Sequence, residues 1–340
     1  MEVEGTSTLD ISPIFFIEIG RIKAGTTDCV LLQQFFSDIV IHATEELYKI
    51  LDSQSFDDIG KVEGWIKGKI EGSSLYSASR ENGLEIVPSA TILNRISEPL
   101  ISPGVFFYLC DEGKSQKVEK ELSYIKETEI NTFKELSKRY ANSVQELKGE
   151  VVGKVVTINK TEGKLLGYPR CCVSEFIKAK EEGRNHETEI ALQCLKNNDL
   201  EFALDCFLRP HKVKDVELPD SFYSHFTSNF YPCSVDCKKA IGISKRNEKY
   251  LSRFSTAYKG RLILNVLYHL AASYGSYQIV RQRDLELNTE YRKYICSFFD
   301  RFDADSLQFM EKVKDLLIYS PHEVGDAYIR KAIEVAQKDD

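Results

Sequence analysis

Four of the nine cysteines stand in two doublets, Gly167-Tyr168-Pro169-Arg170-Cys171-Cys172 and Tyr231-Pro232-Cys233-Ser234-Val235-Asp236-Cys237. A thiol does chemistry as the thiolate, which is both the nucleophile and the metal ligand. Each doublet follows a proline, and proline is favoured in the first turn of a helix, where its missing N–H is no loss. The spacing therefore predicts both doublets at helix N-termini. Unpaired N–H groups and the helix dipole favour negative charge there. Cys233 and Cys237, four apart, would share one helical face. The leading expectation is that the two doublets converge on one metal ion or iron–sulfur cluster.

Zinc modules use Cys-x2-4-Cys pairs, and Cys233/Cys237 fits that window. Adjacent Cys171 and Cys172 fit it less well, because neighbouring side chains point in different directions. A cluster is larger than one ion and tolerates such spacing better. All-thiolate ligation suits zinc or iron–sulfur. His225, eight residues before Cys233, is a candidate to complete the ligands or to hold one in place. The candidate metal set is thus Cys171, Cys172, Cys233, Cys237 and His225. A different chemistry makes Cys171 or Cys172 the nucleophile of a thiol enzyme. No Ser-His-Asp constellation, paired-carboxylate motif or HExxH spacing is visible, so no other catalytic residue is assigned. Cys29, Cys110 and Cys296 read as core thiols; Cys194 and Cys206, between the doublets, could be additional ligands but are also rated as core. His269, inside an apolar run, reads as a satisfied buried histidine.

Lys238 to Arg261 holds eight basic residues against one acid, Glu248, with Tyr250, Phe254 and Tyr258 at every fourth position. One reading is a basic face beside the cysteines, ready for a small anionic ligand, a nucleotide or RNA. Arg170, Lys238 and Lys239 are then the candidate anion-binding residues. The other reading, an amphipathic helix with an aromatic stripe and a solvated basic side, is preferred because charge runs usually mean solvation. Together the cysteines and the basic run support two function classes. One is a metalloprotein with a redox or anion-directed role. The other is an RNA- or protein-binding module with structural zinc.

The elements that must position these residues are mixed. With 340 residues, 42% of them hydrophobic, the chain can build a large core or two. Acidic residues outnumber basic ones by 52 to 45, which argues against bulk nucleic-acid binding. No apolar run approaches a membrane span. Nine cysteines are too few for a disulfide scaffold at this length, so a cytoplasmic protein with reduced thiols is expected. Ser12 to Ile22, Leu84 to Val87, Val105 to Cys110 and Val151 to Ile158 read as strands. Leu31 to Leu51 and Val62 to Ile70 read as helices, Ser115 to Leu147 as one long helix or a helical hairpin, and Ser73 to Asn82 as a loop. Beyond residue 160 helix signals dominate. Leu262 to Ala272 is the expected central buried helix, and Ser320-Pro321-His322-Glu323 opens the last one. The expectation is an α+β or α/β part over residues 1–160, followed by a mainly helical part over 161–340 that carries the cysteine site.

The combination of Gly167-Tyr168-Pro169-x-Cys171-Cys172 with Pro232-Cys233-x3-Cys237 resembles a family of archaeal and bacterial proteins without assigned function, which these two motifs mark. The resemblance covers about residues 160–260. It implies that the cysteines act as a unit, and it implies nothing about a reaction.

Overall fold

The computed structural model describes residues 13–32, 37–93, 101–139, 144–227, 230–282, 289–319 and 321–338. In chain order the elements are α1 (Pro13–Lys23), β1 (Cys29–Leu32), α2 (Ser37–Ser53), α3 (Ile59–Ile70), α4 (Ser74–Glu81), β2 (Leu84–Leu93), β3 (Ile101–Asp111), α5 (Ser115–Arg139) and α6 (Val144–Leu165). Then come α7 (Arg170–Glu181), α8 (His186–Lys196), α9 (Asp199–Leu208), α10 (Lys212–Asp215), α11 (Asp220–Ser224), α12 (Lys238–Leu251), α13 (Ser255–Gln282), α14 (Thr289–Phe299), α15 (Ala304–Tyr319) and α16 (Pro321–Lys338). A small sheet in the N-terminal part and a mainly helical C-terminal part agree with the expected class. Two compact units are present: Arg21–Ile177, and Lys178–Asp340 with the chain up to Gly20.

The first unit is built on an antiparallel sheet of order β1-β3-β2. Cys29 stands opposite Cys110, and Leu84 opposite Asp111. Helix α5 packs on β2 and β3, and α2 packs on β3. The core gathers Cys29, Tyr108, Cys110, Val118, Leu122, Ile158 and Leu165, so Cys29 and Cys110 are buried hydrophobes as expected. Strand β2 is an edge, which explains how it tolerates Pro88. Its register shifts between Thr91 and Leu93. The amide of Ile92 donates to Glu129 Oε2 at 3.0 Å, and that of Ala90 to Glu63 Oε1 at 2.8 Å. Carboxylates from α5 and α3 thus satisfy backbone groups that an edge strand would otherwise leave open.

The second unit is a helical assembly around α13. Helices α8, α9, α12, α14, α15 and α16 all pack against it. Residues from Ala257 to Leu270 are buried on almost every side, the pattern of a helix that is apolar all round. Helices α9 and α16 are tied by an unusual bond. The carbonyl of Cys206 would bond the amide four residues on, but that residue is Pro210 and has no N–H. The Tyr328 hydroxyl of α16 donates to it instead, at 3.0 Å. Among the described residues, no helix is long and apolar enough to cross a membrane.

Several expectations are corrected. Ser12 to Ile22 is not a strand: α1 is a helix opened by Pro13. Its residues are buried on both sides, so apolar periodicity cannot distinguish the two states. Val151 to Ile158 belongs to α6. The doublets Val151/Val152 and Val155/Val156 recur every four residues, and that helical period overrides β-branched propensity. The supposed loop Ser73 to Asn82 contains α4, capped by Ser73, whose hydroxyl accepts from the Tyr76 amide at 3.2 Å. Leu31 and Leu32 end a strand, and the helix begins only at Ser37. Ser320 lies outside the described residues, and α16 starts at Pro321.

Candidate metal-binding site

The first motif is a joint between two helices. Gly167 has φ +70°. The Tyr168 amide donates to the Gly163 carbonyl at 2.8 Å, and the Gly167 amide to that of Lys164 at 3.2 Å. This is a Schellman stop for α6, with glycine at the left-handed position. A Cβ at Gly167 would lie 2.7 Å from the Thr26 carbonyl oxygen, so the position admits no side chain. Pro169 then opens α7: its carbonyl accepts from the amides of Cys172 and Val173 at 2.9 and 3.0 Å. Helix α7 crosses α6 closely, since a Cβ at Gly163 would meet Val173 Cγ2 at 2.7 Å.

Stopping one helix at Leu165 and starting the next at Arg170 places both thiols in the first turn of α7. Cys171 is half-buried and Cys172 is buried. Their Sγ atoms are 3.9 Å apart. The expectation that adjacent cysteines diverge is therefore corrected. Four thiolates at about 2.3 Å from a zinc ion have tetrahedral edges of about 3.8 Å, so this pair has the spacing of two ligands on one ion. The helix N-terminus supplies outward N–H groups that favour the thiolate forms.

The second motif does not form the helix expected of it. Cys233 lies in a turn before α12, and Cys237 is the N-cap residue of that helix. The Cys237 amide donates to the Ser234 carbonyl at 3.1 Å, and the Ile241 amide to the Cys237 carbonyl at 3.0 Å. Two anchors on α8 and its start fix this turn. Gln193 Oε1 accepts from the Val235 amide at 3.1 Å, and His186 Nε2 donates to the Pro232 carbonyl at 2.9 Å. Once those partners hold the turn, Pro232 cannot be the first residue of α12. Cys233 is half-buried and Cys237 is buried at 6% exposure.

The candidate anion-binding residues Arg170, Lys238 and Lys239 are exposed, each in the first turn of its helix. The basic run is not one continuous face. Lys238, Lys239, Lys245, Arg246 and Lys249 are exposed on α12, whereas Arg261 is buried in α13. Lys259 donates to the Val216 carbonyl at 3.0 Å. The aromatic stripe is broken as well, because α12 ends at Leu251 and a short 3-10 turn, Ser252–Phe254, intervenes. Tyr250 is exposed, and Tyr258 is buried with its hydroxyl 2.8 Å from Ser244 Oγ.

His225 keeps different company from that expected. It follows α11, buried in the second unit, with Nε2 3.8 Å from Cys194 Sγ and Nδ1 3.2 Å from His269 Nε2. Cys194, His225 and His269 make a group whose donor atoms all lie within 4.8 Å and can hold a metal ion. Burial pushes the Cys194 thiol well up. Burial, with His269 beside it, pushes His225 well down, and burial alone brings His269 to about 4. Both imidazoles are thus neutral near pH 7, the form in which they ligate. The sequence pattern of Cys194 and His269 is that of core residues. The available signal was Asn265 and His269, four apart on one face of an otherwise apolar helix. Asn265 Nδ2 donates to the His225 carbonyl at 2.7 Å.

Residues 126–264 match the model of a family described as a protein of unknown function, DUF483. Both cysteine doublets, Cys194 and His225 fall inside that stretch. No curated protein and no solved structure matches the chain.

Proposed function

We propose that Cys171, Cys172, Cys233 and Cys237 together ligate one metal ion, and that the chain is a cysteine-ligated metalloprotein of the structural-zinc type. The observation that carries this reading is the 3.9 Å separation of the Cys171 and Cys172 thiols at the start of α7. That separation suits two ligands sharing a single tetrahedral ion. The four cysteines are also a donor set able to serve one ion, and the second doublet sits where the N-terminus of α12 favours thiolates. A donor set of four thiolates is that of structural zinc sites. An iron–sulfur cluster has the same ligand chemistry and is the competing occupant.

The experiment is metal analysis of protein purified without oxygen, beside a Cys171→Ser/Cys233→Ser double variant. Stoichiometric zinc in the parent, lost in the variant, is the expected result, with chelation lowering thermal stability. Brown, iron-containing protein would replace zinc by a cluster. Metal-free protein of both forms would end the reading. The five exposed cations of α12 favour an anionic partner, RNA among them, for the same module. Affinity for a single-stranded RNA should then fall with added salt as counterions are released. Binding indifferent to salt would remove that part.

A further inference from the structure

We propose that Cys194, His225 and His269 form a second, buried metal site, taking one divalent ion of the zinc class independently of the four-thiol centre. The three donors come from α8, the segment after α11, and α13, so the fold rather than local sequence brings them together. The imidazole nitrogens of His225 and His269 are 3.2 Å apart, close to the ~3.3 Å edge of two imidazoles on one tetrahedral zinc. One donor atom from each of the three side chains falls within 4.8 Å of the others, which sets the Cys194 thiol within reach of an ion shared by the two imidazoles. Mixed thiolate and imidazole ligation selects zinc or a similar borderline ion over calcium or magnesium.

A second observation points into the same place. A cavity of about 20 Å³ lies beside the histidines, lined by Glu187, Thr227 and Asn265 among others. One water needs about 10–15 Å³. Asn265 is 3% exposed, and its Oδ1 has no hydrogen-bond donor. A buried amide oxygen left unbonded is costly, and a water on the ion's fourth position would donate to it. Glu187 and Cys194 are seven apart on α8, two turns along one face. The Cys194 thiolate and the Glu187 carboxylate together balance a doubly charged ion. A nucleophilic role for Cys194 fits poorly, because none of its surface is exposed.

Binding exchanges the Cys194 S–H proton for an S–metal bond and releases that proton to solvent. The test uses the full chain with all four motif cysteines changed to serine, stripped of metal and titrated with cobalt(II). The expected result is uptake of one equivalent, with a thiolate-to-cobalt charge-transfer band and release of one proton. Adding Cys194→Ser should abolish the band. Adding His269→Gln should weaken binding beyond the ~10–100-fold that loss of a mere supporting partner costs. A folded four-serine protein that takes up no cobalt, or takes it without the band, overturns the proposal. If the four-serine chain does not fold, the parent is compared with His269→Gln alone. A loss of one equivalent supports the site, and unchanged uptake overturns it. The four-thiol reading fails separately, if the parent holds no more metal than the four-serine chain.

Discussion

At the scale of residues, buried polar groups without full satisfaction mark where the second unit departs from simple packing. Asp199, at the start of α9, is 5% exposed. Its Oδ1 accepts from Ser221 Oγ at 3.0 Å, while Oδ2 has no partner. Burial raises its pKa from 3.8 to about 6; the Ser221 bond opposes this, and the nearby Asp236 charge adds to it. A folded-state pKa above the unfolded one means that the native form holds more protons between those values. The site's contribution to stability is therefore complete below about pH 4 and is lost as pH rises to about 6. Asp199→Asn removes this dependence. We expect the variant to match the parent near pH 4 and to exceed it at pH 7 by no more than about 3 kcal/mol, read by denaturant unfolding at both pH values. A gain that is equal at both would contradict the assignment. The thiols were visible in the sequence because proline and spacing mark them. Asp199, Cys194 and His269 were not, since only long-range packing decides whether a lone polar side chain is solvated or enclosed.

At the scale of elements, the joint between α6 and α7 sets the geometry of the first doublet. Gly167 combines a left-handed backbone with so close an approach to Thr26 that an added Cβ would lie 2.7 Å from its carbonyl oxygen. Gly167→Ala should therefore cost at least about 2 kcal/mol, the left-handed penalty plus the contact. It should also move the first turn of α7, so metal affinity should fall together with the melting temperature. A neutral substitution would mean that the joint does not hold the thiols. This glycine was legible as part of a motif, but its reason was not, because the close neighbour Thr26 is remote in sequence. The C-terminal helices were easier to read: α8, α9, α14 and α15 follow amphipathic or capped patterns in the sequence. The strand assignments at α1 and α6 failed for a common reason. Isoleucine, phenylalanine and valine fit a buried helix as well as a buried strand, and β-branched propensity is the weaker signal. The helix expected from Pro232 failed because Gln193 and His186, distant in sequence, hold the turn that contains Cys233.

At the scale of the molecule, the compact units divide between Ile177 and Lys178, inside α7. The chain up to Gly20 groups with the later unit, where Phe16 stacks on Phe254 at 6.2 Å and Ile14 lies against Gly325. No local pattern announces such a return. The sheet of the other unit is the least redundant part of the architecture, with three strands among the described residues. Glu129→Ala leaves the buried Ile92 amide without its acceptor and should cost about 1–3 kcal/mol. Loss of hydrogen-exchange protection at Ile92 with Glu129→Ala, and its retention in the parent, would be the confirming measurement. Carboxylates borne on helices stand where the carbonyls of a further strand would stand. A peptide or second copy seeking to extend this sheet past β2 must first displace both acids from the amides they occupy, so main-chain addition is disfavoured along that rim.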